Sequence, residues 1–191
     1  MTLSAVDTHV MLDLETFGRA PGCSVRSIGA IAFTLDGVYR GDFYRNVQRL
    51  DCAALGLTEE PETVQWWSEQ STSARVLLEE SPVTLRDAAR DFKEWWGVVG
   101  PVAVWSHGAA FDVPIWQVAA ARAGVSVPWP YKAIRDTRTL YDVAGLDTST
   151  VPAIPGSVTH YAIDDARWQI RCVARAWEML RDARRIGGWA R

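Results

Sequence analysis

The sequence predicts an α/β fold: one mixed β-sheet of three antiparallel strands followed by βα units, with helices on both faces. Three observations predict it. Strand-like apolar runs fill the first third of the chain, two of them joined by the turn signal "LDG". From residue 61 onward, helical apolar periodicities alternate with short apolar runs. The 191 residues, 48% of them hydrophobic, suffice for one domain with a sizeable core.

The elements follow in order. "THVMLDLET" (8–16), "RSIGAIAFT" (26–34) and "YRGDFYRNV" (39–47) read as the three strands, and "FGRAPGCS" (17–24), with Gly and Pro, as the loop between the first two. "PETVQWWSEQ" (61–70) opens on Pro61 and an acid, as a helix N-terminus does. "TLRDAARDFKEWWG" (84–97) aligns Leu85, Ala88, Ala89, Phe92 and Trp96 on one face, with Gly97 as its expected stop. "PVAVWS" (101–106) is a short buried strand. "FDVPIWQVAAARAG" (111–124) is a helix closed by Gly124. "YKAIRDT" (131–137) holds a further strand. "DTRTLYDVAG" (136–145) is a short helix with Asp136 as cap. A last long helix runs from about residue 161 to 185. The run of strands and then alternation predicts a meander joined to a parallel portion in one sheet.

Composition excludes several classes. No apolar run is long enough to span a membrane, and "MTLSAVDTHVMLDLE" lacks the basic start and apolar segment of a secretory signal. Cys23, Cys52 and Cys172 have neither paired nor metal-type spacing, which fits a reducing cytoplasm. A net charge of −3 argues against nucleic-acid binding by bulk charge, but not against a local grip through metal ions.

The strand "MLDLETFG" raises the chemical question. Asp13 and Glu15 share one strand face, opposite Val10, Leu12 and Leu14. Either they face water or they hold something positive. Asp112 follows an apolar strand at the start of a helix, where ligands collect in α/β sheets and where aspartate also serves as an N-cap. In "HYAIDDARW", His160 precedes the last helix. Asp165 lies roughly 110° from the centre of that helix's apolar stripe and Asp164 about 150°, so Asp165 borders the packed face and Asp164 points further into solvent.

The ordered set Asp13-x-Glu15, Phe111-Asp112 and His160-x4-Asp165 resembles the three motifs of the DEDDh 3′–5′ exonucleases, which include RNase T, oligoribonuclease and proofreading subunits. The match spans residues 11–165. "HGAAFD", "RDTRTLYDVAG" and the "VQWW" helix resemble the short bacterial and phage RNase T-like exoribonucleases in particular. The resemblance implies an RNase H-like sheet and a single 3′–5′ exonuclease domain over residues 1–191. Gly and Ala precede Phe111 where many relatives carry Asn. Tyr161-x3-Asp165 also satisfies the spacing of the sister DEDDy group, and His160 is preferred because H-x4-D followed by Ala166 is the RNase T-like form.

The chemistry suits these residue types. Two divalent metals ~3.5–4 Å apart can stabilise the attacking and leaving oxygens of a phosphodiester. Mg²⁺ or Mn²⁺ favours oxygen ligands, so Asp13, Glu15, Asp112 and Asp165 would form the cage. Histidine, ordinarily titrating near ~6.5, is the residue type suited to a general base, and His160 would take that role. The implied reaction releases nucleoside 5′-monophosphates from the 3′ end of RNA, with DNA as a second substrate. A DNA-specific repair or proofreading exonuclease, and a non-catalytic nucleic-acid-binding module on the same fold, are the competing readings.

Phe17, Gly18 and Phe111 are the expected contacts to the last nucleotide of single-stranded RNA or a 3′ overhang. Trp66 and Trp67, adjacent on a helix, are expected to face apart, one buried and one free to stack. Trp168 is expected to lie off the apolar stripe with Arg171 and Arg175. His9 and His107 are expected to be structural. The ten Trp are compatible with a homodimer.

Overall fold

A computed structural model describes residues 6–186. Its five-stranded sheet comprises β1 (His9–Thr16), β2 (Val25–Phe33), β3 (Tyr39–Asn46), β4 (Ala103–Ser106) and β5 (Ile134–Asp136), in the spatial order β3-β2-β1-β4-β5. The first three strands pair antiparallel, while β4 joins β1 and β5 joins β4 in parallel. The hairpin between β2 and β3 turns at Gly37, whose φ of 87° needs no side chain, and Thr34 N–H donates to Val38 O at 2.9 Å.

Helices cover both faces of the sheet. Val10, Leu12 and Leu14 pack on one side against α4 (Leu85–Val99) and α5 (Asp112–Arg122). Met11, Ile31 and Phe33 pack on the other against α6 (Thr137–Ala144) and α7 (Ala162–Ile186). Covered on both sides, β1 is buried along its whole length. Many of the tryptophans serve these interiors. Trp96, Trp116 and Trp129 surround Phe92 with ring centroids 5.8–6.2 Å away, so they are explained without a dimer. Among the described residues, no helix is long and apolar enough to cross a membrane.

Helix ends obey local chemistry. Thr84 caps α4 by accepting Asp87 N–H at 3.1 Å, and Asp136 caps α6 by accepting Thr139 N–H at 2.8 Å. The expected stop at Gly97 is corrected. The helix runs through it to Val99 and ends at Gly100, whose φ of 61° gives the left-handed cap that Gly97 does not adopt. Three helices lie between the third and fourth strands before α4: α1 (Arg49–Ala54), α2 (Pro61–Glu69) and α3 (Thr72–Leu77). The six-residue α1 and α3 are too short to show a period in sequence.

Candidate active site

The pairing of β1 sets up the site. Its parallel ladder with β4 ends at Met11–Trp105, whereas its antiparallel ladder with β2 continues to Thr16. Past Met11, the edge facing β4 therefore has backbone groups that need other partners. Asp112, the first residue of α5, supplies one: its Oδ1 accepts Leu14 N–H at 3.1 Å. Asp112 thus sits inside the helix, with Phe111 at the cap position, and its carboxylate crosses to β1. This is the carboxyl end of a parallel portion, where β1 changes from parallel to antiparallel neighbours.

Asp13 and Glu15 project from β1 toward α7. Gly29, opposite Asp13 in register, lets that helix come close. A Cβ there would lie 2.8 Å from both the carbonyl carbon and the Cβ of Ala162. The first turn of α7 consequently rests on the sheet beside the acids. Glu15, His160 and Asp165 each bring a ligand atom within 4.8 Å of the other two. Asp165 also accepts His160 N–H at 3.1 Å. His160 holds a left-handed φ of 62°, a conformation uncommon for a side-chain-bearing residue, at the turn into α7. Tyr161 packs instead against Tyr44, with ring centroids 4.8 Å apart, and is not in this cluster.

Gln169 is the partner that sequence reading missed. From one turn beyond Asp165 its Nε2 donates to Asp13 Oδ1 at 2.7 Å, and it is buried. Its place four residues after Asp165, on the same helix face, was the available signal. Asp164 is also corrected. It turns back rather than outward, accepting Val158 N–H at 2.9 Å and pairing with Arg167 at 2.7 Å.

The four acids repel ionisation. Burial, then Asp112, Glu15 and Asp165, push Asp13 well above the usual carboxylate range, against one hydrogen bond from Gln169. Burial, then Asp165 and Asp112, raise Glu15, and Arg26 opposes this. Burial raises Asp112 to about 7, with the Leu14 N–H opposing. Burial also raises Asp165, against the pull of His160. Buried carboxylates at such mutual cost fit an external positive charge, and a set of four carboxylates fits Mg²⁺ or Mn²⁺.

Beside the acids lies a groove of about 430 Å³, lined by Glu15, Gly18, Arg19, Trp66, Trp67 and Phe111. Gly18 belongs there as backbone, since a Cβ would meet Cys23 Cβ at 2.7 Å. Phe17 does not line this groove: its buried ring packs behind it with Trp67 and Leu78. Trp67 is buried, donating Nε1–H to Thr16 O at 2.8 Å, while Trp66 is exposed. Both indoles nonetheless flank His160 edge-on, at 4.7 Å and 6.1 Å between centroids. The burial of Trp67 and the exposure of Trp66 match the expected division of the pair, although both rings reach His160. Trp168 is corrected, being partly buried against the core on the α7 side.

The remaining histidines are held by neighbours. His9 accepts Trp105 Nε1–H at 3.2 Å, and burial lowers its pKa to about 4. His107 Nδ1 lies 3.0 Å from Thr137 Oγ1.

The fold recurs in solved nucleases. The structure superposes on E. coli exonuclease I in complex with a dT13 oligonucleotide with a TM-score of 0.65 and 14% identity, over 96% of this chain and 43% of that one. Cell-death related nuclease 4 (CRN-4) gives 0.55 and 17%, over 96% and 65%. S. pombe Pop2p in its Mg²⁺ and Mn²⁺ bound form gives 0.53 and 14%, over 87% and 81%. This chain spans less than half the length of the exonuclease I chains it matches. None of the curated proteins matches it. Together with the motif residues, these likenesses define a DEDDh-type 3′–5′ exonuclease fold. Within that class, the family model of the 3′–5′ exoribonuclease Rv2179c-like domain matches residues 8–177, and the chain belongs to that family.

Proposed function

We propose that this protein is a metal-dependent 3′–5′ exonuclease that removes nucleoside 5′-monophosphates from single-stranded RNA. The observation that carries the reading is the convergence of Glu15, His160 and Asp165 within 4.8 Å, beside buried Asp13 and Asp112. Asp13, Glu15, Asp112 and Asp165 would hold Mg²⁺ or Mn²⁺. When bound, such ions supply charge stabilisation for the attacking and leaving oxygens.

The chain's own groups do the rest. His160 accepts a proton at an imidazole nitrogen from the attacking water, whose oxygen bonds to phosphorus as the P–O3′ bond breaks. Asp165 steadies His160 through the backbone hydrogen bond. Gln169 orients Asp13 through its 2.7 Å bond. Gly18 leaves space for the terminal nucleotide, and Trp66 offers a stacking face. The free, buried cysteines support a reducing compartment. DNA is the second reading, favoured by likeness to a fold solved with a dT13 strand.

The test uses 5′-labelled RNA and DNA of one sequence with Mg²⁺, Mn²⁺ or EDTA. The expected result is a metal-dependent ladder shortening from the 3′ end, reduced to below about one hundredth by Asp13→Asn. Folded protein that degrades neither strand with either metal overturns the proposal.

A further inference from the structure

Sharing the Trp67 wall with the groove beside the acids lies a second cavity of about 400 Å³. Its lining includes Arg26, Arg49, Arg75 and one acid, Glu79. Arg26 stands at the β-bulge where β2 slips register against Glu15 and Thr16, a device that re-aims a side chain. Its side chain is 8% exposed, and its guanidinium lies 4.4 Å over the Trp67 ring and 5.4 Å over Phe17. Its ion-pair contact, Glu79 at 3.8 Å, is 77% exposed and free to swing into solvent. Arg49 lies 4.6 Å over the Phe17 ring and is held by Glu59 at both carboxylate oxygens. Arg75 keeps a buried Nε with no hydrogen-bond partner.

A buried cation whose ion-pair contact is long and exposed, and an orphaned guanidinium N–H lining the same cavity, are costly unless an anion completes them. Guanidinium forks match phosphate oxygens, and the Trp67 wall is shared with the groove beside the acids.

We propose that this cavity is a second phosphate site, in which Arg26 and Arg75 hold a phosphate group of the nucleic acid and Arg49 adds positive charge to the lining. The claim deepens the exonuclease reading and rests on it for the ligand's origin. The phosphate has two sources, an internal phosphate of the bound strand or the 5′-monophosphate product. Glu79 yields to the incoming anion, and Arg26 exchanges a weak exposed partner for a bidentate one.

Binding in EDTA separates this site from the metal-dependent chemistry. Inorganic phosphate is titrated by calorimetry into wild type, Arg75→Gln, Arg26→Gln and Asp13→Asn, with circular dichroism to confirm folding. Saturable binding is expected in wild type and Asp13→Asn, weakened about tenfold by Arg75→Gln. Arg26→Gln should weaken it at least as much if it folds, and the half-buried Arg75 keeps the test valid if it does not. Competition by an RNA lacking terminal phosphates, with a salt slope falling by about 0.7 in Arg75→Gln, assigns the strand as source. Competition confined to a nucleoside 5′-monophosphate assigns the product. Absence of phosphate binding in wild type, or equal affinity in Arg75→Gln, overturns the site. Because no turnover enters the readout, its failure is distinct from failure of the exonuclease reading.

Discussion

At the scale of single residues, the site divides into groups that meet the reaction and groups that hold them. Gln169 is of the second kind. Its amide fixes one rotamer of Asp13, and its Oε1 is buried without a hydrogen-bond partner. Replacing it with Leu removes the hydrogen bond but keeps the bulk. Gln169→Leu should therefore weaken metal affinity about 10–100-fold, as loss of an outer hydrogen bond to a ligand does. Mn²⁺ titration of activity checks this: saturating metal should restore most of kcat, and an unchanged metal midpoint would refute the role. His160→Ala should behave oppositely. It should cut kcat about 10²–10⁴-fold at every metal concentration, because a proton acceptor is lost. A flattened acidic limb in the pH–rate profile would mark it as the base.

At the scale of elements, the acids meet because two close approaches bring α5 and α7 to β1. Asp112 crosses where the β4 ladder stops, and α7 rests on Gly29. Gly29→Ala puts a methyl 2.8 Å from the backbone of Ala162, where no flexible side chain can yield. The helix must lift, so a loss of about 1–3 kcal/mol in urea denaturation is expected, with a larger fall in activity than in stability. Wild-type stability in that variant would mean that α7 is not seated as described. The same approaches explain what sequence could show. Three motifs in order were legible because DEDDh chemistry fixes residue types and spacing. The strands were legible because apolar runs and the "LDG" turn are local signals. Gln169 offered only its spacing of four from Asp165, which does not reveal the contact with Asp13, and the inward turn of Asp164 offered nothing, since it depends on Val158 in the preceding loop. Phe17 sits next to Gly18 in the chain, yet its ring belongs to another cavity, because the strand end sends successive side chains to different sides.

At the scale of the whole molecule, a chain of net charge −3 binds a polyanion only by concentrating positive charge, and its largest concentration of negative charge is at the acids. The metal-free protein should accordingly be strained by its own site. In the folded state Asp112 ionises at about 7, against an ordinary 3.8, and Asp13, Glu15 and Asp165 are raised too. A raised carboxylate pKa means that the folded state binds more protons than the unfolded one. Stability is then lost as pH rises toward and through the folded value. His9 and His107, lowered by burial, act in the opposite sense but only below their ordinary 6.5. The window from pH 6.5 to about 7.5, the last part of the Asp112 transition, therefore isolates the acids from these histidines. In EDTA, Tm should fall across it, and Asp112→Asn should flatten the fall. Mn²⁺ at about 100 times its Kd should raise Tm at pH 8 by roughly 5–10 °C, since ligand linkage contributes ~2.7 kcal/mol and each kcal/mol shifts a domain of this size by about 2–4 °C. Differential scanning fluorimetry with and without metal reads both effects. A Tm that is flat with pH in EDTA and unmoved by Mn²⁺ would mean that the four carboxylates do not form one metal-binding cluster.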